Sequence, residues 1–536
     1  MKNVLLCCIL IGIRLSLFAQ QDAWVYFKDK GNTYNINTPT NFLSQKAIDR
    51  KAQHGVAIDE RDIPVNESYI STLKGAVGIT VMAKSKWFNA VHVRGSQTDI
   101  TNLVDAVNYP FVDYVDFADK NLNSSKVTVQ KTKKKEAYLA TTFNYGSAAN
   151  QATMIHANEL HLANFTGTGM TVAVMDAGFP GVNTIGGFQR LRDASGIIDT
   201  YDFVDREIDV YNNTTDKHGT WVLSTMAGYI ENQFVGTAPD ASYYLFITED
   251  GSGENPVEES YWVEAAERAD SLGVDVINTS LGYGAFYTNL NYRYSAAEYD
   301  GQTTYITKGA NIAFEKGLLL INSVGNEGEN GVNAPADSPY VLSIGAVDAS
   351  GTYASFSSVG SPVQPSRKPD VVAQGQASYV IDVSNAIGTI NGTSFSSPIL
   401  AGGITCLWQA LPNKTNAEIM KLVRESASQY NTPDYELGYG IPDLYASLNQ
   451  GLSVQSNRLD LIKVFPNPTR NTLYLQLPNA QISYLASIYD VLGKQVNNTK
   501  ISSHQNKIEL ASLAKGLYVL RLKSPENTVS IKLIKQ

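Results

Sequence analysis

Three short stretches of this chain place an aspartate, a histidine and a serine where they could act together in nucleophilic catalysis. Asp176 ends the apolar run VAVMDAGF, His218 lies in DKHGTWVLSTMAG, and Ser394 lies in NGTSFSSPILAGGITCLWQAL. A serine hydroxyl attacks poorly until a base takes its proton, and an imidazole needs a carboxylate to hold the right tautomer. Singly, each residue has a plain structural reading: a strand-end aspartate, a helix-start histidine, an N-cap serine. Together, in the chain order Asp, His, Ser and each within two residues of a glycine, they point to covalent acyl transfer. Ser394 precedes a buried-helix pattern, so the N–H groups and dipole of a helix N-terminus would favour negative charge there. Metal chemistry has no comparable signal: HExxH is absent, and His156 and His161 are wrongly spaced for it.

The elements around these residues are legible too. From about 141 to 450, apolar strands (TVAVMDAGF, VDVINTSLG, LLLINSVGNEG) alternate with helical patterns (PVEESYWVEAAERADSLG, TKGANIAFEKG). That alternation predicts an α/β domain with a largely parallel sheet, whose active groups gather at the carboxyl ends of its strands. Residues 20–140 begin with an α+β pattern, a small separate domain, and close in the polar linker NLNSSKVTVQKTKKKEAY. Residues 459–536, after a short linker at 451–458, read as about seven strands of an all-β sandwich. This tail carries ten Lys and Arg against four Asp and Glu, whereas the whole chain of 536 residues has a formal charge of −9. A net acidic chain argues against nucleic-acid binding. Residues 1–19 read as a signal peptide, with Lys2, the apolar run Val4 to Ile13 and the small Ala19. Arg14 interrupts that run and speaks against a stable membrane span. Of the three cysteines, Cys7 and Cys8 leave with the leader, so Cys406 has no internal disulfide partner and reads as a core residue.

The three motifs VAVMDAGF, HGTWV and GTSFSSP resemble those of the subtilase family of serine peptidases, whose Asp, His, Ser order they follow. The order is neither that of chymotrypsin nor that of the α/β-hydrolases, and GTSFS is not a GxSxG elbow. SVGNEG resembles the family's oxyanion-hole segment, NTSLG its cleft-lining strand, and YELGYGIPDLYASL its closing segment. The resemblance implies a subtilisin-like endopeptidase with Asp176, His218 and Ser394 as triad and Asn326 as oxyanion donor. Ser280, Leu281 and Gly282 would pair with an extended substrate. Trp221 and the DAGF turn depart from the commoner HGTHVAG and DTG or DSG patterns, which bears on cleft shape more than on the triad. Residues 20–120, with SKWFNAVHVRG, resemble subtilase propeptides. VFPNPTRNTLYLQL, IYDVLGKQV and LAKGLYVLRL resemble the C-terminal sorting domain of type IX secretion cargo. The expected partners are protein or peptide substrates and the type IX machinery, and the expected location is secreted or cell-surface. No cofactor is expected for catalysis, and structural calcium is left open, since the acidic residues form no EF-hand pattern. The alternative is a catalytically inactive subtilase-fold adhesin or scaffold.

Overall fold

The computed structural model describes residues 20–31, 34–123, 143–212, 216–251, 253–452, 463–476, 484–490, 494–502, 506–523 and 528–536. The expected leader and most of the lysine-rich linker lie outside them. The chain forms two compact bodies, one ending at Gly451 and one beginning at Leu452.

The first body opens with an α+β domain. It contains β1 (Gln20–Phe27), α1 (Gln45–Gln53), α2 (Glu67–Lys74), β2 (Ile79–Ser85), β3 (Ala90–Ser96) and β4 (Val112–Phe117). The four strands make an antiparallel sheet in the order β2-β3-β1-β4. Alternation along β1 divides its side chains between two cores. Ala23, Val25 and Phe27 pack with Ile70 and Leu73 of α2, while Trp24 joins the core of the following domain.

That domain is built on seven parallel strands: β5 (Thr171–Asp176), β6 (Ile197–Asp202), β7 (Ser242–Ile247), β8 (Val276–Thr279), β9 (Leu319–Ser323), β10 (Val341–Val347) and β11 (Val371–Gln374). Their order is β11-β10-β9-β8-β5-β7-β6. Strands β5, β8, β9 and β10 are buried along their whole length, which explains their mainly apolar composition. The helices that position the site are α3 (His218–Ala227), α4 (Val257–Leu272), α5 (Tyr305–Glu315) and α6 (Thr393–Ala410). In α6 every residue but Gln409 is buried. Cys406 is buried there as a free thiol, as its apolar surroundings implied.

The α+β domain docks on α4 and α5. Trp24 stacks on Tyr305 with ring centroids 4.4 Å apart, and its Nε1 donates to Ser260 Oγ at 2.8 Å. Glu267 accepts from the backbone N–H groups of Lys86 and Trp87 at 2.8 and 2.9 Å. A buried ionic network crosses the same interface: Asp270 meets Arg50 at 2.6 Å and Lys51 at 2.8 Å, and Asp62 meets Lys316 at 2.7 Å. Removing one charge strands its partners in a low-dielectric setting. Asp270→Asn is therefore expected to cost the first body about 3–5 kcal/mol. Urea unfolding in a Ser394→Ala background would read it, and a loss under about 1 kcal/mol, the surface-pair range, would mean the network is effectively solvated.

The second body holds seven strands among the described residues. A three-stranded sheet joins Lys463–Phe465, Thr472–Gln476 and Lys507–Glu509. A four-stranded antiparallel sheet orders Gln495–Ile501, Tyr484–Asp490, Gly516–Lys523 and Thr528–Lys535. Leu473, Leu475, Ala486, Ile488, Leu520 and Leu522 form one core, taken from every second residue of their strands.

Candidate active site

The carboxyl ends of β5, β8 and β9 bring the candidate residues together, where a parallel sheet gathers its functional groups. Asp176 is the last residue of β5 and fully buried. Its Oδ1 accepts the Ala177 N–H at 2.8 Å and meets His218 Nδ1 at 2.8 Å. Its Oδ2 is buried without a hydrogen-bond partner among the described residues. His218 is the first residue of α3, and its own N–H donates to Asp216 Oδ1 at 2.7 Å, capping the helix start.

Glycine is what permits this approach. A Cβ on Gly219 would lie 2.5 Å from Gly178 O and 3.0 Å from Asp176 Cβ, so a larger residue would lift α3 off the strand end. Trp221, the departure noted in the sequence, donates from Nε1 to Asp382 Oδ2 at 3.2 Å. That ties α3 to the hairpin formed by Ser378–Ile381 and Ile387–Ile390.

Ser394 is the second residue of α6, behind Gly392 at φ 150°. Its Oγ donates to Ser280 O at 3.0 Å rather than to the His218 ring. Ser280 answers with its own hydroxyl, which donates to Ser394 O at 2.9 Å. Pro398 explains that second bond. Lacking an N–H, it cannot donate to the carbonyl four residues earlier, which is that of Ser394, and Ser280 supplies the missing donor. The nucleophile candidate is thus clamped to β8, and the Phe395 ring lies 5.7 Å from that of His218.

Asn326 lies exposed beyond β9. Its Oδ1 accepts the Thr393 N–H at 2.9 Å, with the Thr393 hydroxyl at 3.0 Å. A backbone N–H can donate only to the oxygen of the amide, so the Nδ2 end is oriented away from Thr393. Of the substrate-pairing candidates, Ser280 O is engaged by Ser394 and Leu281 O by Asn322 Nδ2 at 3.0 Å. Gly282 is half-buried, and its N–H and C=O have no partner among the described residues. Gly282 thus keeps both backbone groups open for pairing, while the carbonyls of Ser280 and Leu281 are engaged. Sequence reading missed Thr393 as the clamp on Asn326 and Phe395 as the neighbour of His218, although both sit inside GTSFSSP.

Burial of the His218 ring disfavours its charged form, yet the Asp176 carboxylate outweighs this through its charge and hydrogen bond. Asp216 and Glu249 add to the effect, and the net shift is upward from 6.5. Among the described residues no group of three or more His, Cys, Asp or Glu side chains is disposed to hold a metal ion.

Comparison with known proteins gives three family matches. Residues 22–136 match a peptidase S8 propeptide domain of Bacteroidota, 167–440 the subtilase family, and 463–536 a secretion system C-terminal sorting domain. Subtilisin NAT of Bacillus subtilis subsp. natto is 31% identical over 305 residues, covering 55% of this chain and 70% of that protein. Subtilisin of Bacillus pumilus is 30% identical over 305 residues, covering 55% of this chain and 96% of that protein. A thermostable alkaline protease of Halalkalibacterium halodurans is 28% identical over 283 residues, 52% of this chain and 68% of that protein. The sorting domain identifies a type IX secretion cargo, destined for the cell surface or the medium. No helix of the described residues is long and apolar enough to cross a membrane.

Proposed function

The chain belongs to the subtilase family, and from that premise we propose that it is an active serine endopeptidase working through an Asp176–His218–Ser394 triad and an acyl-enzyme. The observation that carries this reading is the 2.8 Å contact of His218 Nδ1 with buried Asp176, placed beside the clamped N-terminus of α6. With Nδ1 held by the carboxylate, the imidazole presents Nε2 as the base. Ser394 Oγ rotates from Ser280 O to that nitrogen and attacks the scissile carbonyl as its proton passes to His218. The imidazolium, stabilised by Asp176, then protonates the leaving amine, and water repeats the sequence on the acyl-enzyme. Asn326 Nδ2 and the Ser394 N–H donate to the developing oxyanion. An extended substrate pairs with the free backbone groups of Gly282. The reaction draws on no cofactor. Residues 20–140 act as a removable prosegment, 141–450 as the peptidase, and 459–536 as the sorting domain.

The test is digestion of casein and self-trimming by the full chain, with and without a serine-directed inhibitor. Inhibitor-sensitive cleavage is expected. A folded protein that cuts neither itself nor casein would return the chain to the scaffold reading.

The raised His218 pKa sets the acid side of the pH profile. Only neutral imidazole can accept the serine proton, so activity falls as pH drops through that pKa. The acid limb of kcat/KM is expected to have its midpoint above 6.5, and a midpoint below that value would contradict control by Asp176.

Asn326→Ala is expected to lower kcat by about 10²–10³ with little change in KM, a range that comes from subtilisin itself. An equal rise in KM at constant kcat would instead make Asn326 a ground-state binding group.

A further inference from the structure

Strand β7 ends beside the candidate catalytic strand: Ile247 pairs with Asp176, and the Thr248 N–H donates to Asp176 O at 3.2 Å. Glu249 follows directly and is partly exposed. Its Oε1 accepts from Tyr283 OH at 2.6 Å and from Thr248 Oγ1 at 3.1 Å. Tyr283 is the residue after Gly282, so Glu249 is tethered to the end of the segment expected to pair with substrate. The neighbouring loops are fixed as well. Glu258 accepts the Asp250 and Asn255 N–H groups at 3.0 Å each, and the Thr288 N–H donates to Glu254 O at 3.0 Å.

The carboxyls on this wall lack a cationic partner. Further along α4, Asp270 has Arg50 and Lys51, and Glu264 has Arg206 at 2.9 Å. Among the described residues, no Lys, Arg or His lies within ion-pair distance of Glu249, Glu254 or Glu258. Burial first, then the nearby carboxylates, pushes the Glu249 and Glu258 carboxyls above the ordinary range, with Glu254 and Asp176 contributing at Glu249. A cation placed against Glu249 would favour its ionised form, and the pair would attract strongly where the local dielectric is low.

Distance along the chain says which part of a substrate could bring it. Ser280 O touches the Ser394 hydroxyl, and an extended chain advances about 3.3 Å per residue. Tyr283 therefore lies roughly three residues from the reacting centre along the segment expected to pair with substrate.

We propose that Glu249 makes the acyl side of the cleft select a basic side chain, a Lys or Arg two to four residues before the scissile bond. The inference rests on the peptidase reading above. Its test is kcat/KM of the processed enzyme on matched fluorogenic peptides carrying Lys or Gln at each of those three positions. The wild type is expected to favour Lys by about tenfold or more at one position, as a close charge pair would give. Glu249→Gln keeps an acceptor for Tyr283 OH and is expected to bring the Lys-to-Gln ratio near one. The same ratio in the wild type should shrink as salt is raised, a readout that needs no variant. Cleavage of the Gln peptides with no lysine preference at any position overturns the inference alone. A preference that survives Glu249→Gln overturns it too. Failure to cut any peptide overturns the peptidase reading and the inference with it.

Discussion

Ser394→Ala is expected to lower kcat on casein-derived peptides by roughly a millionfold, the fall seen in subtilisin itself, while the chain stays full length and folded. The side chain removed makes one hydrogen bond, to Ser280 O. The reciprocal bond from Ser280 Oγ to Ser394 O uses the backbone and survives the substitution. The clamp that satisfies the carbonyl left open by Pro398 thus stays in place, and α6 keeps its register. What disappears is the hydroxyl proposed to form the acyl-enzyme; the neighbouring Thr393, Ser396 and Ser397 hydroxyls are bound to Asn326 Oδ1, Thr393 O and Asn278 Oδ1. Comparing wild type and variant on a gel and against a fluorogenic peptide separates the outcomes. Retained activity within about a hundredfold would mean that another group performs the attack, since the oxyanion donors and substrate binding alone leave a residual rate about 10³–10⁴ over water.

Asp176→Asn is the second large effect, expected at about ten-thousandfold in kcat near neutral pH, as in other serine peptidases with this triad. Asp176 Oδ1 accepts two N–H groups, from Ala177 and His218, while Oδ2 is buried with no partner among the described residues. An asparagine can keep its oxygen on both donors only by burying its NH₂ where Oδ2 found nothing to bond. If it flips, the NH₂ faces His218 Nδ1 and forces the tautomer with the proton on Nε2. That nitrogen then cannot accept from Ser394. Either arrangement also removes the negative charge that raises the His218 pKa, so the acid limb of the residual activity should move down. Both readouts come from one pH series of kcat/KM on wild type and variant, and an unchanged limb would sink the assignment of Asp176 as the group that sets His218.

Much of this was legible without coordinates, for reasons that differ by element. The central strands were readable because a parallel sheet covered on both faces demands mainly apolar strands, and VAVM, VI and LLI supply them. The second body was readable from period-two alternation, as in GLYVLRLK, whose burial alternates along its last six residues. The glycines near Asp176, His218 and Ser394 were visible as motif letters. Their reason was not: Gly219 is required by the carbonyl of Gly178, 41 residues earlier in the chain, which no local pattern encodes.

Residue types and order along the chain set the chemistry on offer: one acid, one base and one nucleophile, each at a strand end or helix start, with Asn326 after its own apolar strand. Local physics suffices for that, because strand runs, helix starts and turn glycines are decided by neighbours in sequence. The tertiary fold decided everything that joins segments far apart in the chain. It set which nitrogen of His218 meets Asp176, which end of the Asn326 amide Thr393 holds, and which carbonyl Ser280 rescues from Pro398. It also placed Glu249 against Tyr283 and buried Asp270 against Arg50 and Lys51. Such pairings join residues 34 to 220 positions apart in the chain, and only the packed sheet and its helices bring them into contact.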